Sequence, residues 1–162
     1  MFGADFCYNI VPKKLDIFDT KTFAESEMEF YVVCTNVETG KAVYHKCLTA
    51  DDRELTWMRA SASMPLASHI VEVDGYKLLD GGISDSIPLR FIEKMGYERN
   101  VVILTQPRSY RKGKSHSLPL IKAAMRKYPE FVKASARRSK MYNKQLDYVK
   151  NAEDDGRAFV IA

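Results

Sequence analysis

From Phe30 to Pro107 the chain alternates short β-type runs with helical stretches, and this restricts its fold more than any other feature. In "MEFYVVCTNVETGKAVYHKCL" two β runs flank Thr39-Gly40, with Phe30, Val32 and Cys34 on one face, which predicts an antiparallel pair. "TADDRELTWMRASASM" opens on a Thr49 or Asp51 cap, has acids in its first turn and lines up Leu55, Met58 and Ala62. That pattern predicts a helix ended by Pro65. "HIVEV" and "YKLLD" bracket Asp74-Gly75, a strong hairpin signal. "SIPLRFIEKMG" predicts a short helix closed by Gly96, with Asp85 as its cap. "NVVILTQP" is nearly unbroken apolar sequence and suits a parallel strand buried on both faces. Strands and helices in this order predict an α/β core.

The flanks read differently. The opening, to about Phe23, has no hydrophobic period and reads as an irregular connector. After Pro107 come a basic loop, "RSYRKGKSHS", two helical segments (118–128 and 129 to about 152) and a last apolar run, "AFVIA". The expected organisation is an α/β part over residues 1–110 and a basic helical C-terminal region over 111–162. No apolar run approaches the roughly 18 residues of a membrane span, and "MFGADFCYNIVPKK" lacks the layout of a secretory signal. Three cysteines, Cys7, Cys34 and Cys47, form no CxxC or Cys/His spacing and are expected as reduced thiols of a cytoplasmic protein. Neither a metal site nor a cofactor is expected.

Chemistry concentrates at "YKLLDGGISDSIPL". An apolar strand stops at Asp80, and two glycines follow. Asp-Gly-Gly is a good turn in its own right. Reactive groups of α/β sheets also gather beyond the carboxyl ends of strands, where Asp80 falls. The glycines then either shape a turn or clear space for a group approaching the carboxylate.

The longer stretch "RASASMPLASHIVEVDGYKLLDGGISDSIPL" resembles the second signature block of the patatin-like phospholipases. The resemblance rests on Ala60, Ser61, Ser63, Met64 and Pro65, then Asp80, Gly81, Gly82 and Pro88. "VVILTQPRSYRK" and the helical tail resemble the bacterial branch of that family. The resemblance implies part of a three-layer α/β/α hydrolase core that cleaves lipid or phospholipid esters with a Ser–Asp dyad and neither histidine nor metal. It implies Asp80 as the dyad acid, Gly81 and Gly82 as an active-site turn open to the serine, and Met64 and Pro65 beside the substrate cavity. One of the two glycines is expected at positive φ. The carboxylate is expected to face a cavity, and an Asp80 committed to capping a helix or salt-bridged on the outer surface would defeat the dyad assignment.

The chain departs from the family pattern in one respect. No Gly-x-Ser-x-Gly elbow occurs in it, and no glycine-rich oxyanion loop. It is therefore expected to be a C-terminal or internal portion of a longer protein, to contribute the acid without the serine, and to be inactive alone. The alternative is a non-catalytic lipid-binding or scaffold domain that keeps the fold. Ser61 and Ser63, just before Pro65, read as helix-end residues rather than nucleophiles. Cys34, Cys47 and Trp57 read as core, and His69 as a surface or partly buried residue.

Basic residues crowd the tail: Arg108, Arg111, Lys112 and Lys114 in one loop, then Arg126, Lys127, Lys133, Arg137, Arg138, Lys140 and Lys144. A solvated face is the first reading, and peripheral contact with an anionic membrane the second. Nucleic acid is not expected, because no stacking-aromatic or helix-turn-helix pattern accompanies the charge. An exposed sheet edge is expected to make the chain oligomeric.

Overall fold

The computed structural model describes Gly3 and residues 5–162. Met1, Phe2 and Ala4, which belong to the expected connector, lie outside the described residues. Strands β1 (Phe30–Asn36) and β2 (Ala42–Cys47) pair antiparallel, with Cys34 opposite Val43 and Phe30 opposite Cys47. Strands β3 (Val71–Val73) and β4 (Tyr76–Asp80) form the expected hairpin. Asp74 (φ 50°) and Gly75 (φ 78°) take the left-handed conformations that a tight two-residue turn requires. β4 then adds to β1, with Asp80 opposite Cys34, to give a four-stranded sheet ordered β2-β1-β4-β3.

Alternation along these strands sends side chains to two different cores. On one face, helix α2 (Asp52–Ser61) lays Trp57 and Ala60 over Val32, Cys34, Val71 and Leu78. Asp51 starts this helix, its Oδ1 accepting from the N–H groups of Arg53 and Glu54 at 3.0 Å each. The inward stripe is Glu54, Trp57 and Ala60, which corrects the expected Leu55, Met58 and Ala62. Glu54 goes inside because His45 and Arg53 satisfy its carboxylate, so a position that reads as polar belongs to the core. On the other face, Val37, Leu79 and Ile83 meet Ile121 of α4 (Leu118–Ala124), Met125, and Phe131 of α5 (Pro129–Asp154). Helix α3 (Leu89–Lys94) covers the β2 end of that face, with Phe91 stacked on Tyr44 at 3.9 Å. The sheet thus lies between helical layers, a partial α/β/α arrangement.

Two expectations need correction. The opening is not irregular: Phe6–Leu15 forms a wide π-type helical segment, and α1 (Thr20–Glu25) follows, capped by Asp19. The wide segment buries no residue and lacks the 3.6-residue period, so it has no apolar stripe to read. β5 (Asn100–Ile103) is parallel, as expected, but among the described residues its only strand partner is β6 (Ala158–Ile161). Val102, Ala158 and Val160 pack on Val149 and Ala152 of α5, whereas Val101 (65% exposed) and Ile103 (71%) point outward beside Phe159 and Ile161. A two-stranded sheet with a helix on one side has only one dry face. Among the described residues, no helix is long and apolar enough to cross a membrane.

Candidate active site at Asp80

Asp80 is clamped through its backbone before its side chain does anything. Its N–H donates to the carbonyl of Ser63 at 2.8 Å, and its carbonyl accepts from the buried Thr35 hydroxyl at 2.8 Å. Thr35 Oγ1 also meets Ser84 Oγ at 2.8 Å, closing a small polar network beneath the end of β4. The chain then enters a single 3-10 turn, Gly81–Ile83, and Asp80 Oδ1 accepts the Gly82 N–H at 2.7 Å. One carboxylate oxygen therefore caps a one-turn helix, the structural use that the sequence reading set against the dyad. The other, Oδ2, makes no hydrogen bond to any described residue.

Gly81 and Gly82 do not take positive φ, contrary to expectation; Gly40, Gly75, Gly96 and Gly156 do. The requirement here is steric. A Cβ on Gly81 would lie 2.2 Å from the carbonyl oxygen of Val33, which no side chain tolerates. A Cβ on Gly82 would lie 2.8 Å from Asp80 Oδ1 and 3.5 Å from Arg138 Nη2. The first glycine lets the turn press against β1, and the second keeps open a space bordered by a carboxylate and a guanidinium.

The neighbouring serines are committed elsewhere. Ser61 Oγ donates to the Val33 carbonyl at 2.8 Å and Ser63 Oγ to the Arg59 carbonyl at 2.7 Å, so neither hydroxyl is hydrogen-bonded to the Asp80 carboxylate. Met64 is exposed and lines a cleft of about 480 Å³ with Tyr8, Arg59, Ser63 and His69. Ser63 links this cleft to Asp80 through its carbonyl; neither Pro65 nor Asp80 is among the cleft's lining residues. Burial first, and then the charge of Asp80, pushes the Cys34 thiol up to about 12, so it stays protonated and is no nucleophile.

Helix α5 supplies Gln145, which the sequence reading passed over, and Arg138, which is expected among the exposed basic residues and instead turns inward. Arg138 Nε donates to the Gly82 carbonyl at 2.8 Å, which also accepts from Ser86 Oγ at 2.7 Å. Gln145 Oε1 accepts from the N–H groups of Ser86 and Ile87 at 3.2 Å each, while its amide donates to Asp85 Oδ1. Tyr44 OH donates to Asp85 Oδ2, and burial, followed by this bond, raises the phenol's pKa. Asp85 is thus a strut between β2 and α5, correcting its expected role as a cap; the residue at the N-cap position of α3 is Pro88, which offers no side-chain cap. Arg138 and Gln145 sit seven residues apart, two turns along one helix face. That spacing on the buried stripe of Phe131, Ser135, Tyr142, Leu146 and Val149 is the signal that could have found them.

A sheet sandwiched by helices, with an acid at a strand end and a glycine pair beyond it, is the arrangement expected of a patatin-like hydrolase core. The family model for patatin-like phospholipases matches residues 5–91, more than half of the 162-residue chain, and the chain belongs to that family. Residues 128–162, which include all of α5 and β6, match a domain of unknown function, DUF6363. A search of curated proteins returns no match.

Proposed function

We propose that this chain carries the acid of a Ser–Asp dyad in a lipid acyl hydrolase, with Asp80 as that acid. The observation that carries the reading is the geometry of its carboxylate. Oδ1 is fixed by the Gly82 N–H, Oδ2 is free of described partners, and the glycine pair keeps side chains away from the carboxylate. The serine would come from a Gly-x-Ser-x-Gly elbow, which these 162 residues do not contain. As its oxygen attacks the ester carbonyl, Oδ2 takes the hydroxyl proton. Collapse of the tetrahedral species passes that proton to the departing alcohol and leaves an acyl-serine. Water, deprotonated by the same carboxylate, then releases the fatty acid and restores the serine.

The substrate class is a lipid or phospholipid ester, in keeping with the family. Lys133, Arg137, Lys140 and Lys144 recur at helical spacing along the exposed side of α5 and favour peripheral contact with anionic lipid. Such contact contributes about 1 kcal/mol per residue near the surface. The chain as given should stay at background with a short-chain nitrophenyl ester, because it lacks both nucleophile and oxyanion donors. In a protein that joins a Gly-x-Ser-x-Gly segment to these residues, Asp80→Asn should lower turnover by several orders of magnitude with folding unchanged. Retained turnover would remove Asp80 from the mechanism. No turnover in either form, with lipid still bound, would favour a scaffold that binds lipid without cleaving it.

A further inference from the structure

Away from Asp80, the sheet brings together three side chains that their sequence spacing left unremarked. His45 and Cys47 stand two residues apart on β2 and so share one face, and the first turn of α2 brings Glu54 over that face. One donor atom from each lies within 4.8 Å of the other two. We propose that His45, Cys47 and Glu54 bind a single divalent cation of the zinc type.

The donor set is the first argument. Imidazole, thiolate and carboxylate are the three ligand types zinc takes from proteins, and three protein ligands leave the fourth tetrahedral position to water. Bond lengths of about 2.0–2.3 Å put tetrahedral ligand atoms roughly 3.5 Å apart. The donor atoms all lie within 4.8 Å of one another, and His45 Nε2 and Glu54 Oε2, hydrogen-bonded at 2.6 Å, have to part by about 1 Å to admit the ion, adjustments that side-chain torsions provide. The second argument is charge. Glu54 is only 2% exposed, and a carboxylate so buried needs a cation or strong donors. His45 Nε2 at 2.6 Å and Arg53 Nη1 at 2.9 Å fill that role, and a bound cation would take over the first of these. Coordination through Nε2 moves the imidazole proton to Nδ1 and releases the Cys47 thiol proton to solvent. Ion, thiolate and carboxylate then sum to zero charge, the cheapest arrangement for a site this dry. The third argument is the supporting shell. Arg53 keeps its bond to Glu54 Oε1, and the His45 ring stacks on Trp57 at 4.1 Å and 5°. Outer partners of this kind hold ligands in orientation.

The site serves architecture rather than ester chemistry. Cys47 pairs with Phe30 and His45 with Val32, whereas Asp80 pairs with Cys34 on the other side of β1, so two to four residues of β1 and the width of that strand separate the ligands from the acid. The ion would staple the edge strand β2 to the helix that covers it.

Cobalt titration of the reduced chain in a Cys7→Ser background, which removes the exposed thiol, tests this. Tetrahedral d–d bands and a thiolate charge-transfer band should saturate at one equivalent and vanish when zinc is added. Cys47→Ser should lose the charge-transfer band, Cys34→Ser should keep it, and His45→Gln should weaken binding at least tenfold. Zinc should also raise the melting temperature. A folded chain that gives no cobalt bands overturns the proposal, as does an unchanged spectrum in Cys47→Ser. Should the variants fail to fold, as judged by circular dichroism, the parent titration alone decides.

Discussion

Arg138, on α5, donates its Nε–H to the carbonyl of Gly82 at 2.8 Å, across a sequence separation of 56 residues. The bond joins the part of the chain that matches a domain of unknown function to the turn at the heart of the patatin-like part. Gln145, two helical turns on, holds the next stretch of the same loop through the Ser86 and Ile87 N–H groups. The C-terminal helix therefore acts as a brace for the segment that follows Asp80.

That brace has a measurable worth. Hydrogen bonds from a charged donor contribute about 1.5–3 kcal/mol when half-buried. Arg138→Ala should lower unfolding free energy in urea by about that amount, whereas Arg137→Ala, on the exposed side of the same helix, should stay within about 0.5 kcal/mol. Equal effects at the two positions would mean that Arg138 is ordinary surface.

The two glycines after Asp80 should respond differently to a single added methyl group. At Gly81 the new Cβ meets the Val33 carbonyl, backbone that cannot step aside, so Gly81→Ala should cost about 3 kcal/mol or more, or prevent folding. At Gly82 the nearest atom is Asp80 Oδ1, on a side chain that rotates. Gly82→Ala should fold with a loss of about 1 kcal/mol. Thermal unfolding of the pair checks this ranking, and the reverse order would refute the steric account of the turn.

How legible was this in the sequence? Asp74-Gly75 announced its hairpin because a two-residue turn dictates both its residue types and its conformation. Asp51 announced α2 because a cap is a local event. The position of Asp80 at a strand end followed from the hairpin, and the family resemblance singled it out. What could not be read depended on distant partners. Gly82 meets Arg138 and Ser86 meets Gln145 only once α5 has folded back over the sheet. Glu54 reads as a surface acid until His45 lies beside it. "NVVI" reads as doubly buried because its composition carries no record of how many strands flank it, and among the described residues one does.

Acid should loosen the β3–β4 turn before it unfolds the sheet. Arg53 first, and then the Trp57 indole N–H, holds the Asp74 carboxyl below the usual carboxylate range. A depressed folded pKa means that its stabilisation is complete above the unfolded value of about 3.9 and is lost as pH falls through the lower, folded value. Trp57 is the single tryptophan, so its fluorescence should shift below about pH 4. Asp74→Asn keeps a side chain that accepts the left-handed turn conformation, yet it should abolish that step. A fluorescence profile unchanged by the substitution would assign the transition to another group.

The outward face of the β5–β6 sheet should drive self-association. Val101, Ile103, Phe159 and Ile161 form a contiguous apolar surface on a sheet of only two strands, and each strand has an edge without a strand partner among the described residues. Apolar faces of this kind, combined with open edges, favour pairing between copies. The inward side chains Val102, Ala158 and Val160 are already covered by Val149 and Ala152, so the outer face can be changed without touching that core. Val101→Thr with Phe159→Lys keeps β-compatible residues at one position and places a charge at the other. Sedimentation velocity should find the parent chain associating as its concentration rises through the micromolar range, and the double variant monomeric with the same far-UV spectrum. A parent chain that stays monomeric throughout, with a sharp melting transition, would show that this face needs no partner.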